Sequence, residues 1–234
     1  MIAVVICAAG LSSRMGGEKK EYRKLCDSEE SLTVLGASVA AFCKVSSINT
    51  IVIAISKDTE KDVRSVLPKE CLVSLKPKIL FVDGGQTRQA SVFNALSFLA
   101  EYNPHYVLIH DGARPWVSSS LIEDTIKAVY LYGAVIPALA FSDTPKECTA
   151  PIKNEAPPEG AVFIARHLKR ANMVIAQTPQ AFKFPEILKA HEKAANIENE
   201  EFTDDAEIWG RFCGDVAVIL GSPENRKITF PGDI

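Results

Sequence analysis

None of the six cysteines (Cys7, Cys26, Cys43, Cys71, Cys148 and Cys213) belongs to a CxxC pair, and the four histidines (His105, His110, His167 and His191) show no HxxxH or HExxH spacing. A zinc framework is therefore missing, and the cysteines read as reduced structural thiols of a reducing compartment. No apolar run approaches the roughly 20 residues that a membrane span requires. The apolar stretch 2–9 is too short for a signal-peptide core and leads straight into a glycine loop. A cytoplasmic chain without a membrane partner is the expectation. Charge of one sign is scarce as well: 26 basic against 29 acidic residues leave a net charge of −3. That excludes a general attraction to nucleic acid or acidic lipid, so any anion site must be local. Internal repeats and low-complexity tracts are absent. So are the Walker A pattern GxxxxGK[ST] and the dinucleotide pattern GxGxxG, which removes P-loop phosphoryl chemistry and nicotinamide oxidoreduction from the leading readings.

What is present is an ordinary globular composition, 47% hydrophobic and 24% charged, over 234 residues. That length suits a single domain with a sizeable core. Apolar runs at 2–8, 50–55, 79–82, 106–110 and 134–139 read as strands. Helical patterns at 32–43, 58–67, 88–99 and 118–130 fall between them. Alternation at this rhythm predicts βαβ units, hence an α/β, Rossmann-like, mostly parallel sheet with helices on both faces. The rhythm breaks after Ala140. Residues 141–180 hold five prolines, and 146–160 looks irregular, exposed and too long for an ordinary loop. That stretch is expected to leave the sheet. Helices return at 184–195 and 203–212, the second with Thr203 as N-cap and Asp204 and Asp205 in its first turn. Short strands at 216–220 and 227–229 close the pattern.

Three strand ends carry chemically useful loops. The first is AAGLSSRMG, from Ala8 to Gly16, with Arg14 inside it and Lys20 shortly after. Small residues at the carboxyl end of a parallel strand let backbone N–H groups approach a phosphate, and the arginine and lysine add cations. Second comes GGQTRQAS, in which Gly84 and Gly85 free the backbone just ahead of a helix N-terminus, a place suited to an anion or a polar base edge. HDGARP is the third, where Asp111 beside Arg114 suits a magnesium–phosphate site. Each loop alone also reads as a plain turn with solvated charges. Three of them at separate strand ends point to a nucleotide site.

The blocks AAGLSSRMG, GGQTRQASV, IHDGARP, FSDTPKE, AQTPQAF, FTDDAE and ENRKIT occur in the order found in 2-C-methyl-D-erythritol 4-phosphate cytidylyltransferases, and the chain resembles that family from Ile2 to Asp233. The opening loop alone also resembles molybdenum-cofactor nucleotidyltransferases; HDGARP, TPQAF and NRKIT narrow the likeness. Ribitol 5-phosphate (pentitol phosphate) cytidylyltransferases share much of the set and stay as a competitor. A non-catalytic nucleotide-binding regulator on the same fold is the reading from another class. Against it stand Arg14, Lys20, Asp111 and Lys227 together, since a mere binder does not require all four.

The resemblance implies one nucleotidyltransferase domain over 1–234 that transfers CMP from CTP to a phosphorylated polyol with Mg²⁺. Ala8, Ala9, Gly10, Gly85, Gln86, Ser91 and Gly112 then fall at nucleotide-binding positions. Arg14, Lys20, Arg170 and Lys227 match the cations of the reaction. Asp111, Arg114, Thr144 and Thr178 match substrate-binding positions, and Asp111 is the metal candidate. Thr144 and Arg170 would sit on an arm at about 141–176 that clasps a second subunit, giving a homodimer with shared sites. Some positions depart from the family's usual residues. Glu21 stands where Gln is frequent and Gln86 where Asp is common. Gly112 replaces a usual Ala, an exchange expected to be harmless. The segment 146–160 is unusually long, and the chain stops soon after Asp233, before the final helix of many relatives, so it reads as truncated or naturally short.

Overall fold

A computed structural model of the chain describes residues 1–10, 19–28, 30–151, 161–197, 200 and 202–234. The first half alternates as the apolar pattern predicts: β1 (Ile2–Cys7), α1 (Val34–Cys43), β2 (Ile48–Ile55), α2 (Glu60–Val66), α3 (Lys69–Val73), β3 (Lys78–Asp83), α4 (Arg88–Leu99), β4 (Tyr106–Asp111), α5 (Ser119–Tyr132) and β5 (Ala134–Ala140). The second half holds β6 (Lys146–Cys148), β7 (Ile164–His167), β8 (Val174–Ala176), β9 (Gln180–Lys183), α6 (Phe184–Ala195), α7 (Asp205–Phe212) and β10 (Ala217–Leu220).

The main sheet runs β10-β5-β9-β4-β1-β2-β3, with β8 beside β5. Pairs β1–β2, β1–β4, β2–β3 and β10–β5 are parallel. Strand β9 is antiparallel to both β4 and β5, and β8 is antiparallel to β5. Alternate residues of β1 go to opposite faces, as strand geometry requires. Val4 and Ile6 join Leu35, Val39, Phe42 and Ile122 from α1 and α5. Ala3 and Val5 join Val92, Leu96, Ile187 and Trp209 from α4, α6 and α7. Because helices cover both faces, β1 can be apolar throughout rather than alternating. No helix among the described residues is long and apolar enough to cross a membrane.

Helix starts follow local chemistry. Thr33, Thr87 and Ser118 each cap a helix by accepting a backbone N–H from Gly36, Ala90 and Leu121. For α7 the expected cap is corrected. Asp204, not Thr203, is the N-cap and accepts from the Glu207 backbone at 2.9 Å, while Thr203 donates to the Glu207 carboxylate. The carboxylate so positioned leaves Asp205 as the first helical residue.

Two further expectations change. The stretch after 140 does leave the main sheet, forming the two-stranded β6–β7 hairpin, but its last part returns: β8 and β9 are both in the sheet, and β9 lies near its centre. Nor is 227–229 a strand. Ile228 makes one backbone bond to Ala113 at 2.8 Å, and Thr229 donates instead to the Asp233 carboxylate at 2.6 Å. This segment is laid against the β4 loop without a ladder.

Candidate active site

The register of the parallel strands brings the three loops to one edge. Cys7 is level with Ala54 and with Asp111, and Ile55 with Asp83. The loops after β1, β2, β3 and β4 therefore open on the same side, at the carboxyl ends where open α/β sheets bind ligands. A cleft of about 540 Å³ lies there. Among its lining residues are Ala9, Gly10, Lys20, Gly85, Gln86, Ser91, Asp111 and Lys227, all singled out from the sequence. Arg88, Glu21, Ser56, Lys57 and Thr229 line it too.

Close packing explains the glycines of the second loop. A Cβ on Gly84 would lie 2.4 Å from the Ala9 Cβ, and one on Gly85 would lie 2.4 Å from the Ala90 Cβ. A larger residue at Gly84 would push the first and second loops apart, and one at Gly85 would collide with the first turn of α4. Ser91 is buried and holds the turn from within, its hydroxyl accepting from Gly85 N at 3.0 Å and donating to Thr87 O at 2.9 Å. The hydroxyl is thus occupied by the loop. On the first loop, Ser56 donates to the Ala9 carbonyl at 3.2 Å and accepts from Lys19. Lys20 Nζ donates to the Ile228 carbonyl at 3.0 Å, tying the first loop to the C-terminal segment. Arg14 lies outside the described residues, as do 152–160 of the long segment.

Charge in the cleft centres on Asp111. Its Oδ2 accepts from Lys227 Nζ at 2.7 Å and its Oδ1 from Arg88 Nε at 3.2 Å, and Arg114 Nε lies 3.9 Å from Oδ2. Burial works against ionisation, but Arg88, Lys227 and Arg114 outweigh it and hold this carboxyl well below the usual range. Arg88 is held on its other side by the fully buried Asp205, with NH2 at 2.8 Å from Oδ2. Burial disfavours the charge on Arg88 too, yet Asp205 and Asp111 more than offset it. Cys7, at the base of the cleft, has its thiol pushed up to about 12 by burial, so it is no nucleophile at neutral pH.

Behind the HDGARP loop a chain of donors has only one consistent direction. The Asp111 N–H donates to Thr178 Oγ1 at 3.1 Å. The Thr178 hydroxyl then donates to His110 Nδ1 at 3.0 Å, which leaves the proton on Nε2 to donate to Arg114 O at 3.3 Å. His110 is fully buried, and burial pushes its imidazole down to about 3, so the neutral ring fits this scheme. Thr178, expected to touch the substrate, is buried behind the loop and organises it instead. Arg114 likewise points back rather than into the cleft: its NH1 donates to the Asn225 carbonyl at 2.6 Å. Asn225, fully buried, donates to Thr178 O at 2.8 Å, and Gln177 bonds both Ser222 and Asn225. These bonds fasten the segment that carries Lys227.

Gly112, expected at the nucleotide, is buried and does not line the cleft. A Cβ there would lie 2.9 Å from the Cys7 carbonyl and 3.1 Å from Leu35 Cδ1, so in this chain the glycine is required by close packing and alanine is not a neutral replacement. Ala8 is buried at the end of β1, beneath the cleft rather than lining it. Thr144 and Arg170 are exposed on the stretch that carries the hairpin and do not line the cleft. Arg170 NH1 donates to Ser142 O at 2.7 Å.

Arg88 and Asp205, within GGQTRQASV and FTDDAE, are site residues that the sequence motifs did not single out as such. A usable signal was there. Arg88 is the first residue of a helix, where the backbone dipole repels a cation, and a residue so placed calls for specific acidic partners.

The fit of magnesium can be judged from these donors. Among the described residues no group of three His, Cys, Asp or Glu side chains could cage a metal ion. Magnesium commonly arrives on substrate phosphates and needs only one or two protein carboxylates. Asp111, ionised and on the cleft wall, fits that role by charge and place, but both its oxygens already accept from Lys227 and Arg88, so a metal would share the carboxylate with these cations.

The family model described as 2-C-methyl-D-erythritol 4-phosphate cytidylyltransferase matches residues 2–234. Among curated proteins, the "Bifunctional enzyme IspD/IspF" of Bartonella henselae is 35% identical over 236 residues, covering 100% of this chain and 55% of the relative. That of Brucella anthropi is 37% identical, covering 100% and 53%. The chain thus spans about half the length of these relatives. Among solved structures, a 4-diphosphocytidyl-2C-methyl-D-erythritol synthase from Anaerococcus prevotii matches with a TM-score of 0.78 and 29% identity, over 100% of this chain and 92% of the other. A 2-C-methyl-D-erythritol 4-phosphate cytidylyltransferase from Thermus thermophilus matches with a TM-score of 0.71 and 30% identity, over 99% and 94%.

Proposed function

Because the chain belongs to the 2-C-methyl-D-erythritol 4-phosphate cytidylyltransferase family, we propose that it transfers CMP from CTP to 2-C-methyl-D-erythritol 4-phosphate, forming 4-diphosphocytidyl-2-C-methyl-D-erythritol and pyrophosphate. The observation that carries this reading is the local charge of the cleft. In a chain with a net charge of −3, the cations Lys20, Lys57, Arg88 and Lys227 outnumber the carboxylates Glu21 and Asp111 in one cleft at the strand ends. Two anions must meet in this reaction, and local cations are what bring them together.

An oxygen of the acceptor phosphate attacks the α-phosphorus of CTP, the bond to the bridging oxygen breaks, and pyrophosphate departs in line. Such a displacement needs positioning and charge stabilisation more than covalent help. The small residues Ala9, Gly10 and Gly85 let the nucleotide approach the backbone, with Gln86 at the base or ribose. Lys20, with Arg14 from the neighbouring sequence, stabilises the triphosphate, and Lys227 holds the attacking phosphate. Asp111 would hold magnesium, which would supply further charge neutralisation.

Thr144 and Arg170 act from the arm, 141–176, which clasps a second copy of the chain and presents them to that copy's cleft. Exposed Phe163, Ile164, Val174 and Ile175 give this stretch the apolar surface such a contact requires. Six unpaired thiols suit a reducing compartment, and we place the enzyme in the cytoplasm.

The test is pyrophosphate release from CTP and Mg²⁺ with methylerythritol 4-phosphate or ribitol 5-phosphate as acceptor. Release with the first and not the second is expected. Release with the second alone would overturn the acceptor assignment and leave nucleotidyl transfer standing, whereas no release with either would overturn the activity.

A further inference from the structure

Charged side chains from four distant parts of the chain form one line that runs from the cleft wall inward. Asp205, the first residue of α7, is fully buried and takes Arg88 NH2 at 2.8 Å. Arg88 Nε takes Asp111 at 3.2 Å, and Asp111 takes Lys227 at 2.7 Å. On the far side His191 Nε2 stands 3.2 Å from Asp205 Oδ1, near but without hydrogen-bond alignment. The start of α7 is itself fastened to the sheet. Gln180 of β9 donates to Asp204 at 2.7 Å and accepts from Ala206 N at 3.0 Å. Arg88 thus has an anchored carboxylate behind it and a cleft carboxylate before it.

We propose that Asp205 is a positioning residue for nucleotidyl transfer: it orients the Arg88 guanidinium, which fixes Asp111 and through it Lys227 at the reacting phosphates. The inference rests on the activity proposed above. Arginine suits the task because its planar fork offers separate N–H groups in fixed directions, one for each carboxylate. A single ammonium cannot reproduce both contacts. Arg88 also lines the cleft itself. Without the charge of Asp205, its guanidinium is drawn toward the incoming triphosphate. Nucleotide affinity is then kept or increased, while Asp111 and Lys227 lose their set geometry.

This gives a signature that a purely structural role would not give. In Asp205→Asn, turnover should fall ~10- to 100-fold, the scale of a small misplacement of reacting groups. The KM for CTP should stay level or fall. Arg88→Lys, at a side chain 30% exposed, should give the same split, and it carries the test if Asp205→Asn does not fold. Turnover within about twofold of wild type in a folded variant, or a raised KM with turnover unchanged, overturns the proposal. A readout independent of catalysis is the ¹⁵N NMR signal of the Arg88 Nε–H. It should exchange slowly with water in the wild-type chain and rapidly in Asp205→Asn. Should the wild-type chain release no pyrophosphate, the activity reading fails, and this signal alone decides the relay: slow exchange retained in Asp205→Asn overturns it.

Discussion

Replacing Thr178 by valine keeps the shape of the side chain and removes one hydroxyl. That hydroxyl accepts from the Asp111 backbone at 3.1 Å and donates to His110 Nδ1 at 3.0 Å. His110 is fully buried and Asp111 is 8% exposed, so water cannot take over either bond. A buried group left without its partner costs about 1–3 kcal/mol, and here there are two. The added methyl offsets about 0.8 kcal/mol at most. Thr178→Val should therefore be about 1–5 kcal/mol less stable in urea unfolding at pH 7. Thr178→Ser, which keeps the hydroxyl and loses a methyl, should cost only about 1 kcal/mol. Turnover should fall in the valine variant alone, because Asp111 loses the tether of its own peptide. The reasoning is refuted if the valine variant proves as stable as the serine variant. It is also refuted if stability is untouched and only the KM for the acceptor rises, the result of a hydroxyl that faces the substrate.

Other consequences follow from the same loops. The His110 imidazole has its pKa lowered from 6.5 to about 3 by burial, so between those values the unfolded chain binds the extra proton. Stability from this group is complete above pH 6.5 and declines as pH falls toward 3, by up to ~1.4 kcal/mol per unit. Guanidinium unfolding between about pH 6.5 and 4.5, above the range where Asp111 and Asp205 contribute, should show this slope in wild type and lose it in His110→Gln; equal slopes would count against it. Gly112→Ala should lower stability by about 1–3 kcal/mol, since the carbonyl of β1 cannot yield to the new methyl, and an unchanged melting temperature would contradict that. If the arm serves the partner's cleft, Arg170→Ala and Lys227→Ala chains, each expected to lose on the order of 10²-fold in turnover or more, should regain activity when mixed. Confirmed heterodimers without recovery would disprove shared sites.

The sequence itself determined the elements whose signals are local. Strand β1 and helix α4 are legible because apolar spacing sets them, and both lie close to where the pattern puts them. The Gly84–Gly85 turn is legible by composition, and Gly85 is needed by its near neighbour Ala90, whereas Gly84 is needed by Ala9 of the first loop, a contact that exists only in the folded sheet. Strand β9 was not legible. Four residues after a proline carry too short a pattern to show that they lie between β4 and β5, a place decided by pairing with strands far away in the chain. The lysine-bearing segment 227–229 misled in the opposite sense, having a strand's composition but only the β4 loop to lie on. For the site, residue type was readable and partnership was not. Lys227 and Asp111 could each be named as charges suited to phosphate, yet nothing local says that Asp111 sits between Lys227 and Arg88, or that Arg88 leans on Asp205. Nor could Thr178 be told from a substrate contact until its hydroxyl was found between His110 and Asp111. Ion pairing and burial depend on distances of a few ångströms between segments up to 117 residues apart, and those distances exist only once the sheet has brought the loops to one edge.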